Sequence, residues 1–495
     1  MAEGSAPRSS FRMLFQNWIS WAGIFLSASA VFAALLLITI DLFAEHPNQY
    51  VGILAYVVAP AFFFLGVAIA LVGAFLQRRK ERRGGELAKP LAIHIDLSRR
   101  RDRRILALFA AGSVAFLFLT ALGSYETYHI TESVEFCGKT CHLPMEPQYV
   151  AFQHTAHAKV ACVACHVGPG ATAYFKTKLN GVKQLYHTVV GDFDRPIFVS
   201  EANPRPPQEI CVQCHWPQKW AGAVYRNYSH FLADEKNTPF GVRLVLNVGG
   251  GDPATGPGEG IHWHMNIANK IEYIASDDHL TEIPWFRKTD SNGVVTEYRL
   301  PEFKDDPTKH RIRRMECTDC HSRPAHKVLP PNDAVDLAMA SGKIDPNIPW
   351  VKSKVVEALV QPYKDRAEAE QGITAALRKA YPDRAQADPI IREAHTIYRN
   401  NFFPEMKMDW RTHPDFIGHK NWNGCFRCHD GKHEVSGGGG TAMKGNDCNS
   451  CHLIVAQGSA ETLNQVNPAG LTFFHVDSEY TDLSCADCHT GGIQK

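Results

Sequence analysis

The sequence lacks a strong excess of either charge. Its 495 residues include 52 Lys and Arg against 51 Asp and Glu, which gives a formal net charge of +1. Nucleic-acid-binding domains are usually strongly basic, so this balance argues against nucleic acid as the main partner. With 45% hydrophobic and 10% aromatic residues, the chain is also too apolar for intrinsic disorder. Its length is several times that of a usual domain and predicts more than one module.

The sequence also lacks a spare cysteine. All 14 cysteines form seven pairs, and a histidine directly follows the second cysteine of every pair. Isolated Cys-x-x-Cys pairs hold zinc or form redox disulfides, but neither use requires that histidine. Cys-x-x-Cys-His is the attachment motif of a c-type haem; here the first motif has one extra residue. The motifs are Cys137–Cys141–His142, Cys162–Cys165–His166, Cys211–Cys214–His215, Cys317–Cys320–His321, Cys425–Cys428–His429, Cys448–Cys451–His452 and Cys485–Cys488–His489.

Each motif supplies what a covalent haem requires. Two thiols add to the two vinyl groups of the porphyrin, and the adjacent histidine binds the iron from one face. The sequence therefore predicts seven covalently bound c-type haems. We expect a multihaem c-type cytochrome of mostly short α-helices and loops around stacked haems.

Three long apolar stretches lie in the first quarter of the chain, at about residues 18–43, 51–76 and 105–123. Apart from Asp41, near the end of the first, they contain no Lys, Arg, Asp or Glu. Each is long enough to cross a hydrocarbon core of about 30 Å. A buried helix of a soluble protein explains one such stretch more easily than three. We therefore predict a membrane region over residues 1–124 with three transmembrane helices in a lipid bilayer.

Basic residues predict the orientation of these helices. The link after the second stretch is rich in Lys and Arg, whereas the link around His46 contains neither. Basic links stay on the cytoplasmic side of a membrane. The predicted location is the bacterial inner membrane, with everything after about Tyr125 in the periplasm, where c-type haems are attached.

The spacing of the motifs divides the outer part. Four motifs precede a gap of about 100 residues and three follow it, which predicts a tetrahaem domain at 125–330 and a trihaem domain at 401–495. Residues 216–309 form a strand- and loop-like insertion in the tetrahaem domain. Residues 331–400 are predicted to be a helical connector, because apolar positions recur at helical spacing. These positions are Val355, Val356, Leu359, Val360, Tyr363, Ile373, Leu377 and Tyr381.

Histidine is abundant beyond the motifs, since the chain contains 24. A low-spin haem needs a second axial ligand, and bis-histidine ligation lowers its reduction potential relative to histidine–methionine. The spare histidines therefore indicate a low-potential electron carrier. In the trihaem domain we expect His419, His433 and His475 to be distal ligands, with His395 and His413 as the alternatives. The histidines of the insertion stay open, either as a replacement ligand or as part of a partner surface; they are His230, His262, His264 and His279.

Several motifs between about residues 125 and 330 occur together in a recognisable order. They are Cys137 to His166 with Met145, Pro147, Tyr149 and His157, then Lys178, Leu185-Tyr186-His187, Gly191, and Cys317 to His321 followed by Ser322-Arg323-Pro324-Ala325-His326. With these motifs, this part of the chain resembles the NapC/NirT family of membrane-anchored quinol dehydrogenases. The whole layout is similar to the heptahaem inner-membrane cytochromes of metal-reducing bacteria.

The resemblance implies axial ligands for the tetrahaem domain. Met145 would replace a histidine at the first haem, whose open side would face the quinol. His326 would bind the second haem and His157 the third. The distal ligand of the fourth haem would precede its own motif, which points to His310.

The resemblance also implies a quinol site. Lys178 matches the family's quinol-site lysine, but Gln184 stands where an acidic residue is expected, and His187 is the available substitute. Quinol oxidation releases two electrons and two protons, so it needs a haem edge at the membrane and a proton acceptor. The first motif begins only about fourteen residues after the third apolar stretch, which suits this role.

These features lead to one main hypothesis and two alternatives. The main hypothesis is a quinol dehydrogenase that oxidises menaquinol and passes electrons to periplasmic c-type cytochromes. One alternative is a terminal multihaem reductase of a small oxyanion. The other is a passive electron-transfer subunit of a larger membrane complex. A homo-oligomer is compatible with all three hypotheses.

Overall fold

The computed structural model describes residues 15, 17–43, 58–83, 96–140, 142–167, 171–198, 207–215, 222–249, 260–265, 269–437, 443, 451–476 and 484–493. The chain divides into two compact units. Unit 1 comprises Met1–Cys137 and Cys162–Gln184, and unit 2 comprises Gly138–Ala161 and Leu185–Lys495.

The described residues contain helices of two kinds, long ones and single turns. In chain order they are α1 (Trp18–Phe43), α2 (Ala59–Arg82), α3 (Arg100–Glu132), α4 (His142–Gln153), α5 (Cys162–His166), α6 (Ala171–Val190), α7 (Pro207–Cys211), α8 (Cys317–Cys320), α9 (Pro331–Ala340), α10 (Val351–Leu359), α11 (Arg366–Ala380), α12 (Arg384–Asn401) and α13 (Cys485–Cys488). A π-helical turn covers Phe136–Thr140, and 3-10 turns cover Ile261–Met265, Pro307–Lys309, Pro404–Met406, Gly424–Arg427 and Thr462–Asn464.

Two of the three predicted membrane spans coincide with helices long and apolar enough to cross a bilayer. These segments are Trp18–Thr39 in α1 and Ala59–Lys80 in α2. Residues 51–57 of the second predicted stretch lie outside the described residues. The third predicted stretch falls within α3, several of whose side chains are also outside them, so its role as a span stays a prediction.

Helices α1 and α2 of unit 1 pack closely because small residues line their interface. The Ser20 hydroxyl is buried and donates to the Ala70 carbonyl at 2.9 Å. A Cβ at Gly23 or at Gly66 would collide with the backbone of the other helix. Such small-residue interfaces are typical of helix pairs in membranes, where close backbone approach replaces the hydrophobic effect.

The main hydrophobic core of unit 2 lies between α9, α10, α11 and α12, within the predicted connector. Asp365 and Asp383 start α11 and α12, since their carboxylates accept hydrogen bonds from the backbone N–H groups of Glu368 and Ala385. The predicted apolar positions are packed here: Val355, Val356, Leu359, Ile373, Leu377 and Tyr381 are buried, and Val360 and Tyr363 pack against them.

Unit 2 also contains two antiparallel sheets, and most of their strands lie in the insertion that the sequence predicts to be strand- and loop-like. The strands are β1 (Ala223–Phe231), β2 (Pro239–Asn247), β3 (Lys270–Ile274), β4 (Trp285–Thr289), β5 (Val295–Arg299), β6 (Arg313–Arg314), β7 (Glu434–Val435) and β8 (His452–Gly458). One sheet has the order β1-β2-β8 and the other β6-β3-β4-β5-β7. The predicted insertion supplies β1 to β5, and each sheet is completed by a strand from the predicted trihaem domain.

Candidate haem and quinol sites

Four of the haem motifs share one backbone hydrogen bond. The N–H of the motif histidine donates to the carbonyl of the first cysteine, for example from His321 to Cys317 at 2.8 Å. The same bond joins His215 to Cys211, His429 to Cys425 and His489 to Cys485. Residues at i, i+3 and i+4 of a helical turn lie on one face, so both thiols and the imidazole face the same way. This is the donor set that a covalent haem needs.

Motif residues also stabilise two of these turns. In α8, the Glu316 carboxylate and the Asp319 carboxylate accept reciprocal hydrogen bonds from each other's backbone N–H. Ser484 and Asp487 do the same in α13. Such a capping box satisfies N–H groups that a four-residue helix would otherwise leave unpaired.

The first motif differs in length and in backbone. Its cysteine Cys137 lies in the π-helical turn Phe136–Thr140. A π turn accommodates one residue more than an α turn, which accounts for the extra residue of this motif. Cys141, Cys448 and the side chain of His142 lie outside the described residues.

Five motif histidines face a second histidine that belongs to no motif. Two axial imidazoles on one iron, each bound at about 2 Å, have ring centres about 6 Å apart. Packed aromatic rings also fall in this range, but here each pair joins a motif histidine to one outside the motifs. The ring-centre distances are His157–His215 5.8 Å, His262–His321 6.4 Å, His264–His429 5.9 Å, His419–His452 6.3 Å and His475–His489 6.0 Å. The residues present therefore fit bis-histidine haems.

Hydrogen bonds orient several of these rings. The Nδ1 atom of His157 is 3.0 Å from the Pro324 carbonyl, and that of His264 is 2.8 Å from the Ile261 carbonyl. A carbonyl only accepts, so Nδ1 carries the proton and Nε2 keeps the lone pair that binds a metal. His326 has the same bond, with Nδ1 3.0 Å from the Gln148 carbonyl.

Burial favours the ligating form of these histidines. It lowers the pKa of His262, His321, His419, His452 and His489, because desolvation disfavours the imidazolium. The same effect lowers the pKa of His166 in unit 1. A neutral imidazole is the form that binds iron.

Neighbouring motifs touch in both units. In unit 1 the thiols of Cys137 and Cys162, the first cysteines of motifs one and two, are hydrogen-bonded to each other. In unit 2 the thiols of Cys211 and Cys317 join motifs three and four in the same way. The first cysteines of motifs one and two, and those of motifs three and four, therefore lie side by side.

The contacts in unit 2 continue from motif four to motif seven. Arg427 of motif five donates to the Asp319 carbonyl of motif four at 2.5 Å. The ring of Phe426, also in motif five, stacks at 4.3 Å on His419, which pairs with the sixth motif. The Cys485 sulfur of motif seven lies 3.7 Å from His419 Nδ1. Motifs three, four and five are therefore in contact in sequence order, and His419, which faces His452 of motif six, contacts motifs five and seven.

A charged pair lies beside the first motif in unit 1. Lys178 Nζ on α6 is 2.7 Å from Glu132 Oε1 at the end of α3, and it donates to the Thr131 carbonyl at 3.1 Å. The Glu132 side chain is only 10% exposed. The charges of both residues act on the Cys137 thiol. A carboxylate at a helix C-terminus is unfavourable, and Lys178 offsets that cost.

Gln184 and His187 lie further along α6. Gln184 is exposed in unit 1, and His187 in unit 2 has Nδ1 3.7 Å from Asp192 Oδ2. Apolar side chains recur on α6 at helical spacing and are exposed: Leu179, Val182, Tyr186 and Val189. An exposed apolar stripe of this kind is typical of a helix at a membrane surface.

Comparison with known proteins identifies the family. Residues 99–203 match the NapC/NirT cytochrome c family, N-terminal region. The cytochrome c-type protein ImcH of Geobacter sulfurreducens is 35% identical over 497 residues, which cover 97% of this chain and 96% of that protein. The chain belongs to the NapC/NirT cytochrome c family. The cytochrome c-type protein NrfH of Wolinella succinogenes is 30% identical over 113 residues, or 22% of this chain and 62% of that protein. No solved structure matches significantly.

Membership confirms the coarser sequence predictions. The chain is a c-type cytochrome that binds haem covalently and transports electrons, and its N-terminal apolar helices anchor it in a membrane. The seven covalent haems and the individual ligands stay predictions.

Two residues predicted as distal ligands have other partners in the structure. His433 is fully buried, with Nδ1 2.9 Å from Asp430 Oδ1 and Nε2 2.7 Å from the Ile283 carbonyl. Both of its ring nitrogens are therefore engaged. His310 Nε2 is 3.0 Å from Asp305 Oδ2. We revise the proposed ligand set accordingly.

The structure also brings forward residues that the sequence reasoning did not select. Glu132 lies near Lys178 only because α3 and α6 meet, and no spacing rule points to it. The sequence places His262 and His264 in the insertion but assigns neither to a particular haem. The alternation His-Trp-His was the available signal for this pair, and it is too short to be specific.

Proposed function

We propose that this chain oxidises menaquinol at the inner membrane and passes electrons along seven haems to periplasmic c-type cytochromes. The observation that carries the proposal is the histidine pair at each of motifs three to seven, together with the contacts that link these motifs, which at motif six run through His419. Electron transfer needs closely spaced haems, and bis-histidine ligation gives them low potentials.

The proposed ligand set combines these pairs with the earlier predictions. His157, His262, His264, His419 and His475 are the distal ligands of haems three to seven. His166 with His326 at the second haem follows the family resemblance, as does Met145 in place of a histidine at the first haem, whose open side faces the quinol. When bound, the haems supply the electron-carrying iron, and the chain supplies the ligands and the burial that set its potential.

Lys178 and Glu132 form the proposed quinol site. Oxidation of quinol releases two electrons and two protons. The Glu132 carboxylate accepts a proton from a quinol hydroxyl. Lys178 binds the same oxygen and holds Glu132 in place through their ion pair. Glu132 thus takes the role for which Gln184 lacks an ionisable group. His187 stays, as the sequence predicts, the available alternative acceptor.

Paired variants test this site. Lys178→Met and Glu132→Gln should each lower the rate of quinol oxidation by about a hundredfold or more, the usual contribution of general acid–base catalysis. Lys183→Met on α6 and Glu126→Gln on α3 are matched controls, because both side chains are exposed. Reduction by dithionite should be unchanged in all four. Unaltered quinol oxidation in both Lys178→Met and Glu132→Gln would remove these residues from the mechanism.

A further inference from the structure

The insertion at residues 216–309 is bound to the C-terminal haem region through both sheets of unit 2. Strand β2 pairs with β8 in antiparallel register, with Leu246 opposite His452 of the sixth motif. Strand β5 pairs with β7, with Tyr298 opposite Val435. The insertion is thus part of the sheets around the fifth and sixth motifs, although it interrupts the tetrahaem domain in sequence.

Within the insertion, the 3-10 turn Ile261–Met265 faces two different motifs. His262 lies 6.4 Å from His321 of motif four, and His264 lies 5.9 Å from His429 of motif five, measured between ring centres. A 3-10 turn advances by about 120° per residue, so side chains two residues apart leave on different sides. One five-residue turn can therefore serve two haems at once.

Hydrogen bonds fix this turn in place. The backbone N–H of His262 donates to the Val248 carbonyl at 2.9 Å, and the Asn269 side chain donates to the Trp263 carbonyl at 2.9 Å. The bond between His264 Nδ1 and the Ile261 carbonyl leaves Nε2 of His264 as the metal-binding atom.

The insertion also holds motifs four and five against each other. Tyr273 on β3 donates to the buried Asp319 carboxylate at 2.6 Å. Arg427 of motif five is buried and donates to the Leu280 carbonyl at 2.8 Å as well as to the Asp319 carbonyl. Its guanidinium stacks 3.5 Å from the centre of the Phe416 ring. Two motifs from different predicted domains are thus joined through residues of the insertion.

We infer that the insertion couples the tetrahaem and trihaem domains electrically, with His262 and His264 as distal ligands of the fourth and fifth haems. The inference rests on the proposed seven-haem function. His310, which the family resemblance implies for the fourth haem, has Nε2 bonded to Asp305. His433, which the sequence predicts as a ligand in the trihaem domain, has both ring nitrogens bonded, to Asp430 and to the Ile283 carbonyl.

Spectroscopy of the full chain tests the ligands without any quinol. In His262→Ala and in His264→Ala, one more haem than in the parent chain should be high-spin, and in the double variant two more. Added imidazole should return these haems to low spin, because it replaces the missing ligand. His279→Ala, in the same insertion, and His433→Ala are matched controls that should keep the spin states of the parent chain.

A second pair of variants covers the case in which the alanine variants fail to mature. His262→Met and His264→Met keep a sixth ligand, and one haem in each should titrate at a higher potential than in the parent chain. The inference is overturned if the methionine variants titrate like the parent, or if His310→Ala or His433→Ala produces the high-spin haem instead. Because these readouts are independent of quinol oxidation, loss of the proposed function would not mimic either result.

Discussion

The connector and the haem-binding segments of unit 2 are held together by different forces. In the connector, Leu359, Ile373 and Leu377 are completely buried in a core formed by four helices. By contrast, α13 is four residues long and none of its described residues is buried. A helix that short cannot be stable by itself, because nucleation is unfavourable. The comparison teaches that the connector depends on apolar burial, whereas the haem segments depend on covalent bonds and iron ligands.

The largest effect should follow from preventing haem attachment. We expect chain produced without haem to lose the structure of α8 and α13 while α11 and α12 persist. Amide hydrogens in α11 should then exchange at least about a thousandfold more slowly than those in α13, because local opening of a core helix is far more costly. Hydrogen exchange read by mass spectrometry measures the difference. Equal protection in the two regions would contradict the comparison.

A cavity in the connector should have a smaller and purely structural effect. Leu377→Ala should lower the free energy of unfolding by about 2–5 kcal/mol, since it removes a fully buried side chain. The haem spectrum should not change. Denaturant unfolding followed by circular dichroism and by haem absorbance measures both.

Leu337→Ala is the matched control for this variant. Leu337 lies in α9 but is 60% exposed, so its removal should change stability by no more than about 0.5 kcal/mol. A change of haem ligation in Leu377→Ala would show that the connector core and the haem sites are not independent.

The smallest effect should follow from removing a helix N-cap, which can be done in both regions. Asp365→Ala removes the cap of α11 and should cost about 1 kcal/mol. Ser484→Ala removes the cap of α13 and should cost less than about 0.5 kcal/mol, because the haem fixes that turn in any case. Denaturant midpoints of the two variants give the comparison. An equal loss in both would mean that the haem does not substitute for the cap.

The two regions also differ in how far the sequence predicts them. Helical periodicity predicts the connector core, since every apolar position selected there is buried or packed against it. The motifs predict covalent haem because both thiols and the histidine that binds the iron lie within six consecutive residues or fewer. Distal ligands are different, since they come from anywhere the fold brings near the iron.

Particular residues show why sequence spacing alone is a poor guide to the distal ligands. His433 follows its motif closely, yet its nitrogens bond to Asp430 and to the Ile283 carbonyl. His264 is remote in sequence, yet it faces His429 of motif five. Glu132 and Lys178 likewise form an ion pair although they lie on different helices. Sequence spacing carries no information about such contacts.

The most direct test of the account is reduction of the purified, detergent-solubilised chain by a menaquinol analogue, followed at the haem α-band. The account predicts rapid reduction that a quinol-site inhibitor blocks. Absence of reduction by quinol, with normal reduction by dithionite, would contradict it and leave a passive electron carrier that another subunit must load.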